Sequence, residues 1–346
     1  MPKAIRIGIV GTGMIAGAIA RAIAQSPNGV LVAASSRRAE RAAEFLAEQG
    51  ADPGARPFGS WEELLAWDGV DGVYIATPTH VREAIAVAAA AAGMHVLADK
   101  PFDGLASLRR ITAACREHGV AFLDATHFSH HPRTRRLRDE IAGHLQGAHA
   151  LRSAFFFPMD DRGNIRYDPT QEPTGAHGDM AWYSMRAAVE YLPGAMGAVR
   201  RVQAHVRRDS ETGAVVRTAG FLAFEDGSST TWDVGFDTGA LIMDLDILGP
   251  GGLLSLDDFV LDWGHGFPFD DPEHDVGFTV RTGAAGPADF RFVTVPNDRP
   301  AQVRMIDAFA GLAEDPTSKD QADAIARSER TQELLDITWA AATEDA

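Results

Sequence analysis

The first 125 residues alternate short apolar runs with amphipathic stretches of helical period. Ile5–Val10, Val30–Ser35, Gly72–Ala76, His95–Ala98 and Ala121–Asp124 are apolar runs of strand length, and Phe58 begins a shorter one. Between them, Met14–Gln25, Arg38–Glu48, Ser60–Ala66, His80–Ala92 and Leu105–His118 carry apolar residues at helical spacing. Strands this apolar are covered on both faces, and helical crossovers are what parallel strands need. The pattern predicts a parallel sheet with helices on both sides over residues 1–125. Beyond residue 125 the rhythm changes. Pro132–Ile141 reads as helix, Ala148–Pro158 as strand, and Ala176–Tyr191 as helix after a loop reaching Thr174. Val199–Arg207, Ala214–Phe224, Ser228–Phe236, Leu241–Leu248, Gly252–Asp257 and Phe290–Val295 read as strands, with Asp226-Gly227 a hairpin signal between two of them. Val303–Leu312 and Ala322–Ala341 close the chain as helices. Residues 126–346 are therefore expected to form a second, α/β domain with a large, mostly antiparallel sheet.

Charge and composition narrow the partners. The chain has 346 residues, a formal net charge of -16 and 45% hydrophobic residues. Two domains with sizeable cores fit that length. So acidic a protein offers no broad cationic surface for a nucleic-acid backbone. Arg6, Arg21 and several glycines break the apolar stretch Ile5–Ala24, so neither a membrane span nor a signal peptide is expected, and a cytoplasmic location follows as the simplest expectation. The single cysteine, Cys115, lies in a helical pattern and is expected to be a small apolar filler.

Chemistry concentrates at the carboxyl ends of the predicted strands. Ile7-Gly8-Ile9-Val10-Gly11-Thr12-Gly13-Met14-Ile15-Ala16 reads as strand, tight turn and helix. Gly11 lets the chain turn, Gly13 admits a pyrophosphate, and Ala16 keeps helix and strand close, as a dinucleotide site requires. Residues Gly11, Thr12, Gly13, Met14 and Ile15 are the candidate phosphate contacts. The second strand ends in Ala34-Ser35-Ser36-Arg37-Arg38, without the acidic residue that binds ribose hydroxyls in many NAD sites. Ser36, Arg37 and Arg38 can instead hold a 2′-phosphate, which predicts NADP(H) over NAD(H); the lesser alternative is that the two arginines begin a solvated helix. Thr77 and Pro78 are expected beside the nicotinamide ribose, with His80 either a contact or a helix-start residue.

Asp99-Lys100-Pro101 ends the apolar run Met94–Ala98 in a chain with only three lysines. An amine there can be desolvated towards useful proton transfer, or can bridge domains as an ion pair. Further on, Gly175, Asp179 and Tyr183 are spaced by four, so a regular helix would align them on one face. Tyr183 supplies a phenol for proton relay and Asp179 a carboxylate to orient it; a capped core tyrosine with a helix-terminal carboxylate is the alternative. His127-Phe128-Ser129-His130-His131 matches no compact metal-ligand spacing, so no metal is expected there and the histidines are read as lining a pocket or an interface. The acidic tract 269–275 reads as a solvated loop.

These motifs carry a resemblance. The chain resembles the glucose–fructose oxidoreductase/inositol dehydrogenase (Gfo/Idh/MocA) family over nearly its whole length. Gly11-x-Gly13-x-x-Ala16 is similar to its nucleotide loop, and Asp99-Lys100-Pro101 to its Glu-Lys-Pro motif. Asp179-x-x-x-Tyr183, with Asn164-Ile165-Arg166 upstream, resembles the branch holding xylose 1-dehydrogenases and dihydrodiol dehydrogenases. Where many members have Thr-Pro-Asn-x-x-His, this chain has Thr77-Pro78-Thr79-His80-Val81-Arg82. The resemblance implies a Rossmann domain, a second domain whose open sheet forms a homodimer or homotetramer interface, and hydride exchange with a sugar or cyclic polyol. It maps Lys100 and Tyr183 to the catalytic pair, Asp179 to the carboxylate beside them, and Asp99 and Lys100 to the cofactor's edge. Arg166 and His177 join Lys100, Asp179 and Tyr183 as expected substrate contacts, with a loop salt bridge the equal alternative for Arg166. Trans-dihydrodiol or carbonyl oxidoreduction, or a nucleotide-binding regulator without turnover, are the alternatives.

Overall fold

The computed structural model describes residues 4–344 apart from 268, 270 and 272. By internal packing the chain divides into two units, one of residues up to 130 with 300–329, the other of 131–299 with residues from 330 onward.

In the first unit β1 (Ile5–Val10), β2 (Gly29–Ser35), β3 (Arg56–Phe58), β4 (Gly72–Ile75), β5 (His95–Ala98) and β6 (Phe122–Asp124) form one sheet in the order β3-β2-β1-β4-β5-β6. Every pairing in it is parallel. Helices α1 (Met14–Gln25), α2 (Ala39–Glu48), α3 (Trp61–Leu65), α4 (Thr79–Ala91) and α5 (Gly104–Glu117) make the crossovers. Ile7, Ile9, Val73, Tyr74, Val96 and Leu97 have no exposed surface, as strands covered on both faces demand. The strand order reverses between β1 and β4, which is where an open sheet of this kind leaves a crevice for a ligand.

The second unit begins with α6 (Pro132–Gly143) and includes α7 (Trp182–Tyr191). Its sheet comprises β7 (Ala150–Phe156), β8 (Val199–Arg208), β9 (Val215–Phe224), β10 (Ser229–Gly235), β11 (Ile242–Gly249), β12 (Gly252–Leu256), β13 (Gly277–Arg281) and β14 (Arg291–Thr294). The order is β14-β13-β12-β11-β7-β10-β9-β8, with β7 and β10 parallel and the other pairs antiparallel. The expected hairpin is present: Gly227 has φ +85° between β9 and β10, and Asp226 Oδ1 accepts the Ser228 N–H at 2.9 Å. The sequence pattern held no strand between 257 and 290, yet β13 lies there. Its buried Phe278 and Val280 alternate with Thr279 and exposed Arg281, a short alternation masked by the acidic, proline-rich run before it. Part of the predicted acidic loop, residues 270 and 272, lies outside the described residues.

The closing helices are α8 (Ala301–Glu314) and α9 (Lys319–Thr343). Val303, Met305, Ile306 and Phe309 of α8 have no exposed surface and share one core with Ile7, Ile23 and Leu31. Asp307 accepts hydrogen bonds from Ser26 Oγ at 2.6 Å and Asn28 Nδ2 at 3.0 Å. From α9, Gln321 meets the edge strand β6 with both ends of its amide. Its Oε1 accepts the Phe122 N–H at 3.2 Å, and its Nε2 donates to the Phe122 carbonyl at 2.8 Å. Ser328 adds a hydrogen bond to the buried Asp124. Among the described residues no helix is long and apolar enough to cross a membrane.

Candidate active site

The turn Gly11-Thr12-Gly13 joins β1 to α1. Gly11 has φ +104°, and a Cβ there would stand 2.8 Å from the Ala76 carbonyl oxygen, so no side chain fits. Its N–H donates to the Ser35 carbonyl at 3.0 Å, which ties the turn to the end of β2. Gly13 caps α1, and nothing lies within 4 Å of the position its Cβ would take. The first N–H groups of α1 have no partners within the helix, and the first turn carries no acidic residue. That open, positively polarised end fits the diphosphate of a dinucleotide. Exposed Met14 and half-buried Ile15 stand on the first turn of α1, and fully buried Ala16 keeps the helix close to the sheet.

At the end of β2, the Ser36 N–H donates to Phe58 O at 3.2 Å, and Arg37 and Arg38 are both exposed. Arg38 is the N-cap of α2, so the helix begins one residue later than its periodicity predicts, and both guanidinium groups are left in solvent at the strand's end.

The turns after β4 and β5 lie side by side, because Ile75 pairs with Ala98 and the Asp99 N–H donates to Ile75 O at 3.0 Å. Pro78 caps α4, Thr79 begins it, and His80 is exposed on its first turn. Asp99 is half-buried, whereas Lys100 is 9% exposed and the Lys100–Pro101 peptide is cis. Arg82, 3% exposed, reaches back from α4. Its Nη2 donates to the Thr77 carbonyl at 2.6 Å and its Nη1 to the Pro101 carbonyl. The next strand end contributes His127, which is buried. Burial, then the charges of Lys100 and His130, push its imidazole down to about 3, so it is neutral at physiological pH. The sequence placed the histidine run at a pocket or interface rather than at a metal, and left Arg82 without a role. The signal for Arg82 was an arginine inside the first turn of a helix, where its charge opposes the dipole. Among the described residues no group of three or more His, Cys, Asp or Glu is arranged to hold a metal ion.

In the second unit the helix expected over Ala176–Tyr191 opens as a π-turn, His177–Ala181, before α7. The wider turn replaces the uniform spacing that would stack Gly175, Asp179 and Tyr183, and such turns recur at functional sites. Gly175 enters it with φ +48°, and a Cβ there would stand 2.4 Å from the Val215 carbonyl oxygen. Upstream, Asn164 caps the single turn Ile165–Tyr167 by accepting the Arg166 N–H at 3.1 Å. Arg166 Nε then donates to Asp179 Oδ2 at 2.5 Å, in an ion pair with both side chains about a quarter exposed, at 27% and 22%. The structure thus joins two residues that the sequence could place only in separate motifs. Tyr183 is 7% exposed, and its ring packs edge-on against Phe155 with centroids 5.5 Å apart.

His177 lies deeper than expected. It has no exposed surface, Nε2 donates to Leu335 O at 3.0 Å, and Nδ1 lies 3.3 Å from Thr218 Oγ1. Burial pushes its imidazole down to about 4, against a smaller opposing effect of the Leu335 hydrogen bond. With both nitrogens engaged, the neutral ring braces the π-turn against α9.

Comparison with known proteins agrees with this geometry. A family profile described as "Oxidoreductase family, NAD-binding Rossmann fold" matches residues 5–125. The D-xylose 1-dehydrogenase (NADP(+)) 2 of Haloferax volcanii is 32% identical over 208 residues, 60% of this chain and 62% of that protein, so the match spans less than two thirds of that relative. The dTDP-3,4-didehydro-2,6-dideoxy-alpha-D-glucose 3-reductase of Streptomyces antibioticus is 30% identical over 261 residues, 73% of this chain and 75% of that one. In fold, the chain is similar to KijD10, a 3-ketoreductase from Actinomadura kijaniata solved with NADP and TDP-benzene, at a TM-score of 0.85, 24% identity and 98% coverage of both chains. Glycine turn, lysine-bearing strand end and relatives together establish that this chain belongs to the Gfo/Idh/MocA family of oxidoreductases.

Proposed function

We propose that the chain exchanges hydride between NADP(H) and a hydroxyl or keto carbon of a sugar or cyclic polyol. The observation that carries this reading is the near-complete burial of Lys100 at the carboxyl end of β5, on the same sheet edge as the Gly11 turn. Gly11, Thr12, Gly13, Met14 and Ile15 would hold the diphosphate, and Thr77, Pro78, Asp99 and Lys100 the nicotinamide half. Ser36, Arg37 and Arg38 would receive a 2′-phosphate, which favours NADP(H) over NAD(H), as the names of several relatives also do. His80, exposed on α4, is assigned to the rim of that site.

When bound, the nicotinamide accepts or supplies hydride at C4. The protein's own part is proton and charge handling. In oxidation Tyr183 takes the proton from the reacting hydroxyl, and in reduction it returns it. Lys100, as an ammonium, steadies the oxygen's developing negative charge. Asp179, held by Arg166, orients a substrate hydroxyl, and Arg166 is assigned to the same side of the substrate. The buried setting of His177 gives it a bracing part rather than the direct substrate contact expected from its motif.

Reduction of a keto sugar is a second reading, favoured by the dTDP-sugar 3-reductases among the relatives. The same residues serve it in reverse. On the net charge and the family likeness we also infer a cytoplasmic homodimer or homotetramer that does not bind nucleic acid. A panel of aldoses, polyols, trans-dihydrodiols and keto sugars, followed by the absorbance of reduced nicotinamide, tests the reading. Turnover that falls at least about a hundredfold in Lys100→Met and Tyr183→Phe supports it. Cofactor binding with no turnover on any of them, or wild-type turnover in both variants, overturns it.

A further inference from the structure

We propose that Arg82 is a positioning residue that sets where Lys100 stands, by clamping the turn after β5 to the turn after β4. The inference rests on the dehydrogenase reading for its kinetic consequences, but its geometry is independent of it.

Strands β4 and β5 are zipped by backbone hydrogen bonds up to Asp99 N–H on Ile75 O. Past that point the ladder runs out. Each turn contains a proline, Pro78 and Pro101, and neither has an N–H to continue it. The carbonyls of Thr77 and Pro101 are left facing the interior and need donors. Arg82 supplies both, Nη2 to Thr77 and Nη1 to Pro101. A helical side chain points back over the preceding turn, which is how a residue on the first turn of α4 reaches both loops.

The choice of side chain is informative. A guanidinium is planar and presents separate N–H groups in a fixed fork, so its two terminal nitrogens can hold two acceptors at a set spacing; an ammonium is a single point. The cost is also visible. Arg82 is a cation near the amino end of a helix with no acidic residue in its first turn, and its Nε is buried with no hydrogen-bond partner. The carbonyl it holds belongs to the residue next to Lys100, so a shift of this turn moves the amine directly.

The test uses Arg82→Met, Arg82→Lys and Arg82→His in the full chain. Two readouts are needed. The first is kinetic. Displacing a catalytic group by about 1 Å costs on the order of a hundredfold in rate, so Arg82→Met should lose that much in kcat with little change in the Kd of NADP(H). Arg82→Lys, which keeps one bond, should fall between. Added guanidinium ion should restore part of the Arg82→Met rate. The second readout needs no turnover: the pH-dependent labelling of Lys100 by an amine reagent, read by mass spectrometry. Arg82→Met should label faster than wild type, and guanidinium should slow it again. Should Arg82→Met not fold, Arg82→Lys and Arg82→His carry the same comparison. Unchanged kcat and unchanged Lys100 labelling in the folded variants would overturn the clamp. If the wild type turns over nothing while the labelling still responds, the clamp stands and the dehydrogenase reading fails.

Discussion

Acidification should destabilise the second unit through one side chain, His177. Its imidazole has no exposed surface and its pKa falls from an ordinary 6.5 to about 4, chiefly through burial. The unfolded chain therefore takes up the proton more readily than the folded one. Stability is whole above about pH 6.5 and is lost as the pH drops towards about 4. With these two pKa values the loss is about 2 kcal/mol at pH 5 and about 3 kcal/mol at pH 4. The perturbation that isolates it is His177→Gln, whose amide can still donate to Leu335 and accept from Thr218. Urea unfolding at pH 7 and pH 5, followed by tryptophan fluorescence, measures it, since Trp339 packs 5.3 Å from the His177 ring. The variant should start less stable at pH 7 by about 1–3 kcal/mol, yet lose about 2 kcal/mol less than wild type on going to pH 5. An identical loss in both proteins would refute the reasoning.

Three further expectations follow from the first unit. Gly11→Ala places a methyl against the Ala76 carbonyl in a backbone region that L-residues avoid, so the Kd for NADP(H) should rise at least about tenfold by calorimetry, and an unchanged Kd would count against the phosphate cradle. Removing both Arg37 and Arg38 should weaken NADP(H) by about tenfold or more while leaving NAD(H) nearly unchanged; equal losses for both cofactors would defeat the 2′-phosphate assignment. Cys115 is buried and its thiol is pushed up to about 12, so iodoacetamide at pH 8 should leave native protein unlabelled and label it once urea is added.

Local periodicity revealed the parallel sheet because its strands are wholly apolar and its turns carry glycine at Gly11 and proline at Pro78 and Pro101. It revealed the antiparallel sheet through hairpin chemistry such as Asp226-Gly227. It could not reveal which sheet a late amphipathic helix covers: the apolar face of α8 is compatible with either, and only long-range packing assigns Ile306 and Phe309 to the core around Ile7. The π-turn before α7 was hidden for another reason, since residues 176–191 have ordinary helix propensity and the wider turn depends on tertiary partners such as Leu335 and Thr218. A salt bridge was one of the two readings open for Arg166, but its partner Asp179 was out of reach, because 13 positions of largely irregular chain separate the two.

The edge of the parallel sheet is finished by Gln321, and its core by α8, both from the last fifth of the polypeptide. On the ribosome, the strands of the nucleotide-binding unit are therefore made well before the helical residues 300–329 that complete it. Until residues 300–329 emerge, β6 keeps a raw backbone edge and the apolar surface around Ile23 and Leu31 faces water. A nascent chain stalled before that point would be a natural client for chaperones, and a polypeptide truncated after residue 299 should aggregate rather than bind nucleotide.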